Sequence, residues 1–141
     1  MKKVMSSTLI VTMLLLSGCA VPAAEGLFES SGASQLKLRQ IQTRYFDTSD
    51  KQKTVEAVIA TLQDLGFVID KASLDLGSVT GTKLNGYTLR MTVNVTPRGK
   101  QQMTVRASAQ YNVTPIEDPV TYQDFFNALS KSLFLQAHLE D

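Results

Sequence analysis

The chain has 141 residues, 43% of them hydrophobic and 19% charged, with fourteen lysines and arginines against thirteen acids. That leaves room for one globular domain and not two, and a near-neutral balance without a basic cluster or any tryptophan argues against a nucleic-acid partner. A single cysteine and a single histidine exclude an internal disulfide framework and a structural zinc site built from several such ligands.

The amino end opens with Lys2 and Lys3, continues through an apolar stretch from Thr8 to Leu16, and reaches Leu16-Ser17-Gly18-Cys19. This is the layout of a secretory leader. The apolar part is much shorter than the roughly 20 residues that cross a bilayer core of about 30 Å, so a permanent transmembrane helix is the weaker reading. Leu16-Ser17-Gly18-Cys19 resembles the lipobox of bacterial prolipoproteins. The resemblance implies a leader, residues 1–18, cut before Cys19, a diacylglyceryl group on the Cys19 thiol, and acylation of the new amino terminus. An ordinary leader with an incidental cysteine is the alternative. Each buried methylene contributes about 0.8 kcal/mol, so two or three acyl chains give lasting attachment where one gives marginal attachment. In the same family Ala20, in place of an aspartate, implies passage to the outer membrane with the domain facing the periplasm. Loss of Lys2 and Lys3 with the leader would leave twelve basic against thirteen acidic side chains.

Residues 19–37 are expected to be the lipidated cysteine and a flexible tether. Ala20 to Gln35 is rich in Ala, Gly and Ser and shows no sustained period. A coil of this length reaches about 20 to 25 Å. Leu27-Phe28 interrupts the polar run as either a docking point or a pair that packs loosely.

From residue 38 to 141 the pattern is that of a domain. Leu38 to Phe46 alternates and predicts a strand, with Ile41, Thr43 and Tyr45 on one side and Gln40, Gln42 and Arg44 on the other. Ser49 and Gln52 have capping-box spacing, and Val55, Val58, Ile59, Leu62 and Leu65 recur at helical spacing up to Gly66, which can close the helix in the left-handed conformation with Phe67 folding back. Phe67 to Ala72 and Ser78 to Leu84 predict two short strands joined through Asp75-Leu76-Gly77. Tyr87, Leu89, Met91, Val93 and Val95 then alternate with polar residues, as do Met103, Val105, Ala107, Ala109 and Tyr111. With Pro97-Arg98-Gly99-Lys100 between them, these predict an antiparallel hairpin, each strand apolar on one face. Asp118 as cap and Pro119 in the first turn predict a last helix with a stripe of Tyr122, Phe125, Phe126, Leu129 and Leu133.

Two singly striped helices and one apolar sheet face combine most simply as an α+β two-layer sandwich. The expected sheet is mostly antiparallel with four or five strands, two helices cover one face, and the order is β-α-β-β-β-β-α. This order resembles helix-grip and related modules of lipoprotein subunits in outer-membrane assembly machines. Arg44-Tyr45-Phe46-Asp47-Thr48 and Leu62-Gln63-Asp64-Leu65-Gly66-Phe67 resemble phrases of small outer-membrane lipoproteins.

Chemistry is sparse. His138 sits near a helix carboxyl end, where a cation is favoured. Glu117-Asp118 and Asp47 with Asp50 stand at helix starts, where negative charge offsets amide dipoles. No glycine-rich phosphate loop or nucleophile elbow occurs. No catalytic, metal or cofactor residue is therefore expected beyond the covalent lipid on Cys19. Arg90, Thr92, Asn94, Thr104, Arg106 and Ser108 would form a polar sheet face covered by neither helix, either a partner surface or a plain solvated face. The expectation is a non-enzymatic accessory subunit of an envelope or transport assembly. The alternative is a carrier holding an apolar ligand between sheet and last helix at Tyr122, Phe125 and Phe126; an envelope hydrolase is a third.

Overall fold

The computed structural model describes residues 25–84 and 86–139, with side chains for 34–84 and 86–134. Residues 1–18, expected to be a leader, and Cys19 lie outside the described residues. The chain divides into two compact units, 1–33 and 34–141. Among the described residues three helices and six strands follow in the order α1 (Glu25–Ile41), β1 (Thr43–Phe46), α2 (Lys51–Asp64), β2 (Val68–Ser73), β3 (Ser78–Leu84), β4 (Thr88–Arg98), β5 (Gln102–Tyr111), β6 (Thr114–Pro115) and α3 (Pro119–Leu139). The expected α+β order is present from β1 onward, with α1 added in front and the two-residue β6 added before α3.

The first difference lies at α1. Residues expected to be a loose tether and the start of a strand are helical from Glu25 through Ile41. Gln35-Leu36-Lys37-Leu38-Arg39-Gln40 is a run of strong helix formers, and Arg39 in the last turn suits the negative end of the helix dipole. The alternation of Ile41, Thr43 and Tyr45 with Gln40, Gln42 and Arg44 carried the expected strand back to Leu38, over a stretch too short to separate the two periods. β1 therefore begins only at Thr43. Its faces are also reversed: Tyr45, expected on the apolar side, is 55% exposed, and Arg44 turns inward with its guanidinium 5.1 Å from the Phe126 ring.

α2 forms where the apolar spacing places it, but its cap is Asp50 and not Ser49. The Asp50 carboxylate accepts from the Lys53 amide at 3.0 Å, and an ionised acceptor at a helix start outcompetes a hydroxyl. Gln52 donates instead to Glu56. At the far end Gly66 has φ +86°; its N–H donates to Gln63 O and that of Phe67 to Leu62 O, both at 2.9 Å, the paired bonds of a Schellman motif. Lys83 Nζ donates to Leu65 O at 2.9 Å, adding a cation to the same terminus.

The sheet order is β1-β5-β4-β3-β2, all antiparallel, and β6 also pairs with β5. The β4–β5 register runs from Leu89↔Tyr111 to Arg98↔Gln102, so the expected hairpin is present, with Gly99 at φ +62° in its turn. Gly77 in the β2–β3 turn has φ +70°, and a Cβ there would stand 2.2 Å from Val95 O. The close approach serves the ladder, since Val95 N donates to Gly77 O at 2.7 Å. At the opposite edge β2 carries a bulge between Ile69 and Lys71.

One face of this sheet is the core. Val79, Met91, Val93, Val95, Met103, Val105, Ala107 and Ala109 meet Val55, Val58 and Leu62 of α2 and Tyr122, Phe125, Phe126 and Leu129 of α3 in a single buried cluster. Both helices thus lie on one side, and apolar burial at about 25 cal/mol per Å² is the main force holding the layers together. Tyr87 and Tyr111, expected on this face, sit at the sheet end instead and remain 47% and 39% exposed. Their rings meet edge-to-face with centroids 4.6 Å apart. No described helix is long and apolar enough to cross a membrane.

Candidate functional site: the uncovered sheet face

Because β-strand side chains alternate, every residue paired across the core has neighbours facing away from it. The pairing assembles those neighbours into rows. Thr82, Arg90, Gln110 and Pro115 form one; Thr80, Thr92 and Ser108 the next; then Ser78, Asn94, Arg106 and Thr43; then Thr96, Thr104 and Tyr45. All six residues expected on this face, Arg90, Thr92, Asn94, Thr104, Arg106 and Ser108, fall in four consecutive rows. Arg90, Asn94, Arg106 and Ser108 are exposed, and Thr92 and Thr104 are half-buried beneath their neighbours.

The rows are held by short-range polar contacts. The Thr80 and Thr92 hydroxyls lie 3.2 Å apart, Thr82 donates to Asp70, and Arg98 lies over the Tyr45 ring at 3.8 Å. Arg90 and Arg106 make no ion pair among the described residues. With Asp70 engaged by Thr82, the centre of the face carries guanidinium charge among neutral hydroxyls and amides.

β5 has an interrupted outer edge. β1 covers its residues 103–106 and β6 its residues 110–111, leaving a gap at 107–109. Backbone groups in the gap would be unsatisfied without substitutes. Ala107 N donates to Gln42 O at 2.9 Å. Ala109 N donates to the Tyr122 hydroxyl at 3.2 Å, and that hydroxyl in turn donates to Ile116 O at 2.6 Å and accepts from Gln42 Nε2 at 3.1 Å. A side chain from α3 thus stands in for a missing strand. Gln42 is 7% exposed and Tyr122 fully buried. Above them a notch of about 190 Å³ opens on the outer face, lined by Gln42, Arg90, Thr92, Ser108, Ala109, Gln110 and Pro115.

Sequence reasoning found Arg90, Thr92 and Ser108 of this notch and missed Gln42, Gln110 and Pro115. Gln42 meets Tyr122 across eighty positions of sequence, and β6 spans two residues, so neither leaves a local signal. A second, open polar cleft lies at the hairpin end between Asp47, Thr48, Ser49, Arg98, Lys100, Gln101 and Gln102, where Gln102 Nε2 donates to Asp47 at 2.6 Å. Of the expected acidic pairs, Asp50 caps α2, and Asp118 accepts from the Val120 amide at 3.3 Å at the start of α3.

Tyr122, Phe125 and Phe126, the rings that would line a ligand cavity in a carrier, are fully buried. Phe125 and Phe126 stack edge-to-face at 5.2 Å, and neither pocket described above is lined by any of the three. The His138 side chain and Cys19, the expected lipid-attachment residue, lie outside the described residues. Among the described residues no group of three or more His, Cys, Asp or Glu gathers as for a metal. The Tyr111 pKa is raised: the Tyr87 side chain, then desolvation and the nearby Tyr87 and Asp118 charges, hold it above the ordinary value of 10.0.

No protein-family model matches the chain, and no curated protein matches it.

Proposed function

We propose that the chain is a bacterial lipoprotein, tethered through Cys19 to the periplasmic side of the outer membrane, whose domain serves as a non-enzymatic accessory subunit docking onto a larger envelope or transport assembly. The observation that carries the docking half is the uncovered face of β4 and β5. Six polar side chains read from the sequence stand there in adjacent rows, with two arginines lacking an internal carboxylate. The anchor half rests on Leu16-Ser17-Gly18-Cys19. The carrier alternative is disfavoured by the close packing of Tyr122, Phe125 and Phe126.

Two measurements test the halves separately. Mass spectrometry of protein from its native membrane should find Cys19 as the first residue, bearing diacylglyceryl and acyl mass; an intact leader or a free thiol overturns the anchor. A photo-crosslinking residue placed at Thr104 should give a discrete crosslinked species in intact cells, and one placed at Glu56, on the exposed side of α2, should not. Equal crosslinking from both positions overturns the docking face.

A further inference from the structure

We infer that the notch in the outer edge of β5 is a binding site for a single carboxylate group, held by Arg90 with the Gln42 amide beneath it. The inference rests on the reading of this face as a docking surface and specifies what the face recognises.

The site exists because the sheet is incomplete. Between Thr43 at the start of β1 and Pro115 in β6, no strand flanks Ser108, so the layer opens down to a buried polar floor. That floor is fixed. The Tyr122 hydroxyl uses its one proton on Ile116 O and both acceptor positions on Gln42 Nε2 and Ala109 N. Gln42 is therefore oriented from within, and one of its two amide protons is committed to Tyr122 while the other is not. The Gln42 amide lining the cavity keeps one Nε2 proton uncommitted beside its Oε1, so the floor holds a donor that can add to a guanidinium's hold on an acceptor.

The walls define its charge. Arg90 is the one cation lining the notch, and no acid lines it; Thr92 and Gln110 add neutral donors, while the Ser108 hydroxyl donates to Thr92 O at 3.5 Å. A planar guanidinium matches a carboxylate in two parallel bonds. One cation suits a monoanion better than a phosphate, which carries about −1.5 to −2 at neutral pH and calls for more than one. The cavity of about 190 Å³ is below the roughly 300 Å³ at which pockets for whole drug-sized ligands begin. It fits the end of an acidic side chain, with the rest of the partner lying across the threonine rows. A small free dicarboxylic acid would present the same chemistry.

The test is an amide-NMR titration of the intact chain in detergent micelles with N-acetyl-glutamate N′-methylamide, its glutamine counterpart, glutarate and inorganic phosphate. The expected result is saturable shifts at the Gln42 side-chain amide and at residues 90, 92 and 108–110 with the glutamate compound and none with the glutamine one, at a dissociation constant on the order of millimolar. Binding of glutarate alone would keep the carboxylate site and assign it to a free acid. Arg90→Gln should weaken binding about tenfold or more, with Gln42→Leu close behind. Arg106→Gln, on the same face but outside the notch, should change it by less than about twofold. Equal loss from Arg90→Gln and Arg106→Gln would mean diffuse charge attraction and overturn the site. An equal response to phosphate, or no saturable shift, would overturn it too. None of these readings depends on the lipid, so the fate of the anchor is decided independently.

Discussion

The two faces of the β4–β5 hairpin come from the same alternating stretch of sequence and have opposite roles. On one, Met91, Val93, Val95, Met103, Val105, Ala107 and Ala109 are at most 5% exposed and locked between α2 and α3. On the other, Arg90, Asn94, Arg106 and Ser108 stand in solvent with few internal partners. The inner face is specified by what covers it, so each of its side chains is answerable to many neighbours. The outer face is held only by contacts among its own side chains, and its Arg90 and Arg106 guanidinium groups make no ion pair among the described residues. Stability, and the recognition proposed for the outer face, are thus separated by a single peptide step along each strand.

That separation makes quantitative demands. Phe125→Ala, which removes a fully buried ring, should cost about 3 to 5 kcal/mol in urea unfolding. Tyr122→Phe keeps the ring and removes the hydroxyl that satisfies Gln42, Ala109 and Ile116; the expected loss is about 2 to 3 kcal/mol. A loss below half of that would show that the edge gap tolerates unpaired groups. Thr61 on α2 is buried, and its hydroxyl is without a hydrogen-bond partner. Thr61→Val should therefore stabilise the domain by roughly 1 kcal/mol, a gain unavailable to outer-face threonines that already face water. On that outer face Arg106→Gln should shift stability by no more than about 0.5 kcal/mol.

The smallest effect concerns pH. Tyr111 has its folded-state pKa raised, so its contribution is fully present below the ordinary value of 10.0 and is lost as pH rises through the folded value. Tyr87→Phe removes the first cause, the Tyr87 hydroxyl. Its unfolding free energy should then fall less steeply than the parent's above that pH.

Much of this architecture was legible in the sequence, and particular residues show why. β5 up to Tyr111 and β3 over Ser78 to Leu84 were legible because alternation marks β5 after the Gly99 turn, and Gly77 and Gly86 flank β3. α2 was legible because Gly66 requires a positive φ that few other residues take. Leu38 to Ile41 was misread because a few residues satisfy both periods, and helix propensity decided the outcome. The cap moved from Ser49 to Asp50 because spacing does not weigh a carboxylate against a hydroxyl. Of the candidate site, the cross-strand rows followed from alternation. The notch did not, since it depends on where β1 stops, on a two-residue strand, and on a tyrosine eighty positions from its partner.

The margins of the sheet have a further consequence under the membrane tether proposed above. Molecules held in a plane meet edge-on far more often than in free solution, and a straight open strand would let them zip into fibres. Here one margin is made of two short strands with Tyr122 wedged between them. The other is broken by the bulge beside Asp70 and Lys71. Such a sheet has no template on either side, and crowding alone gives its copies no way to extend one another.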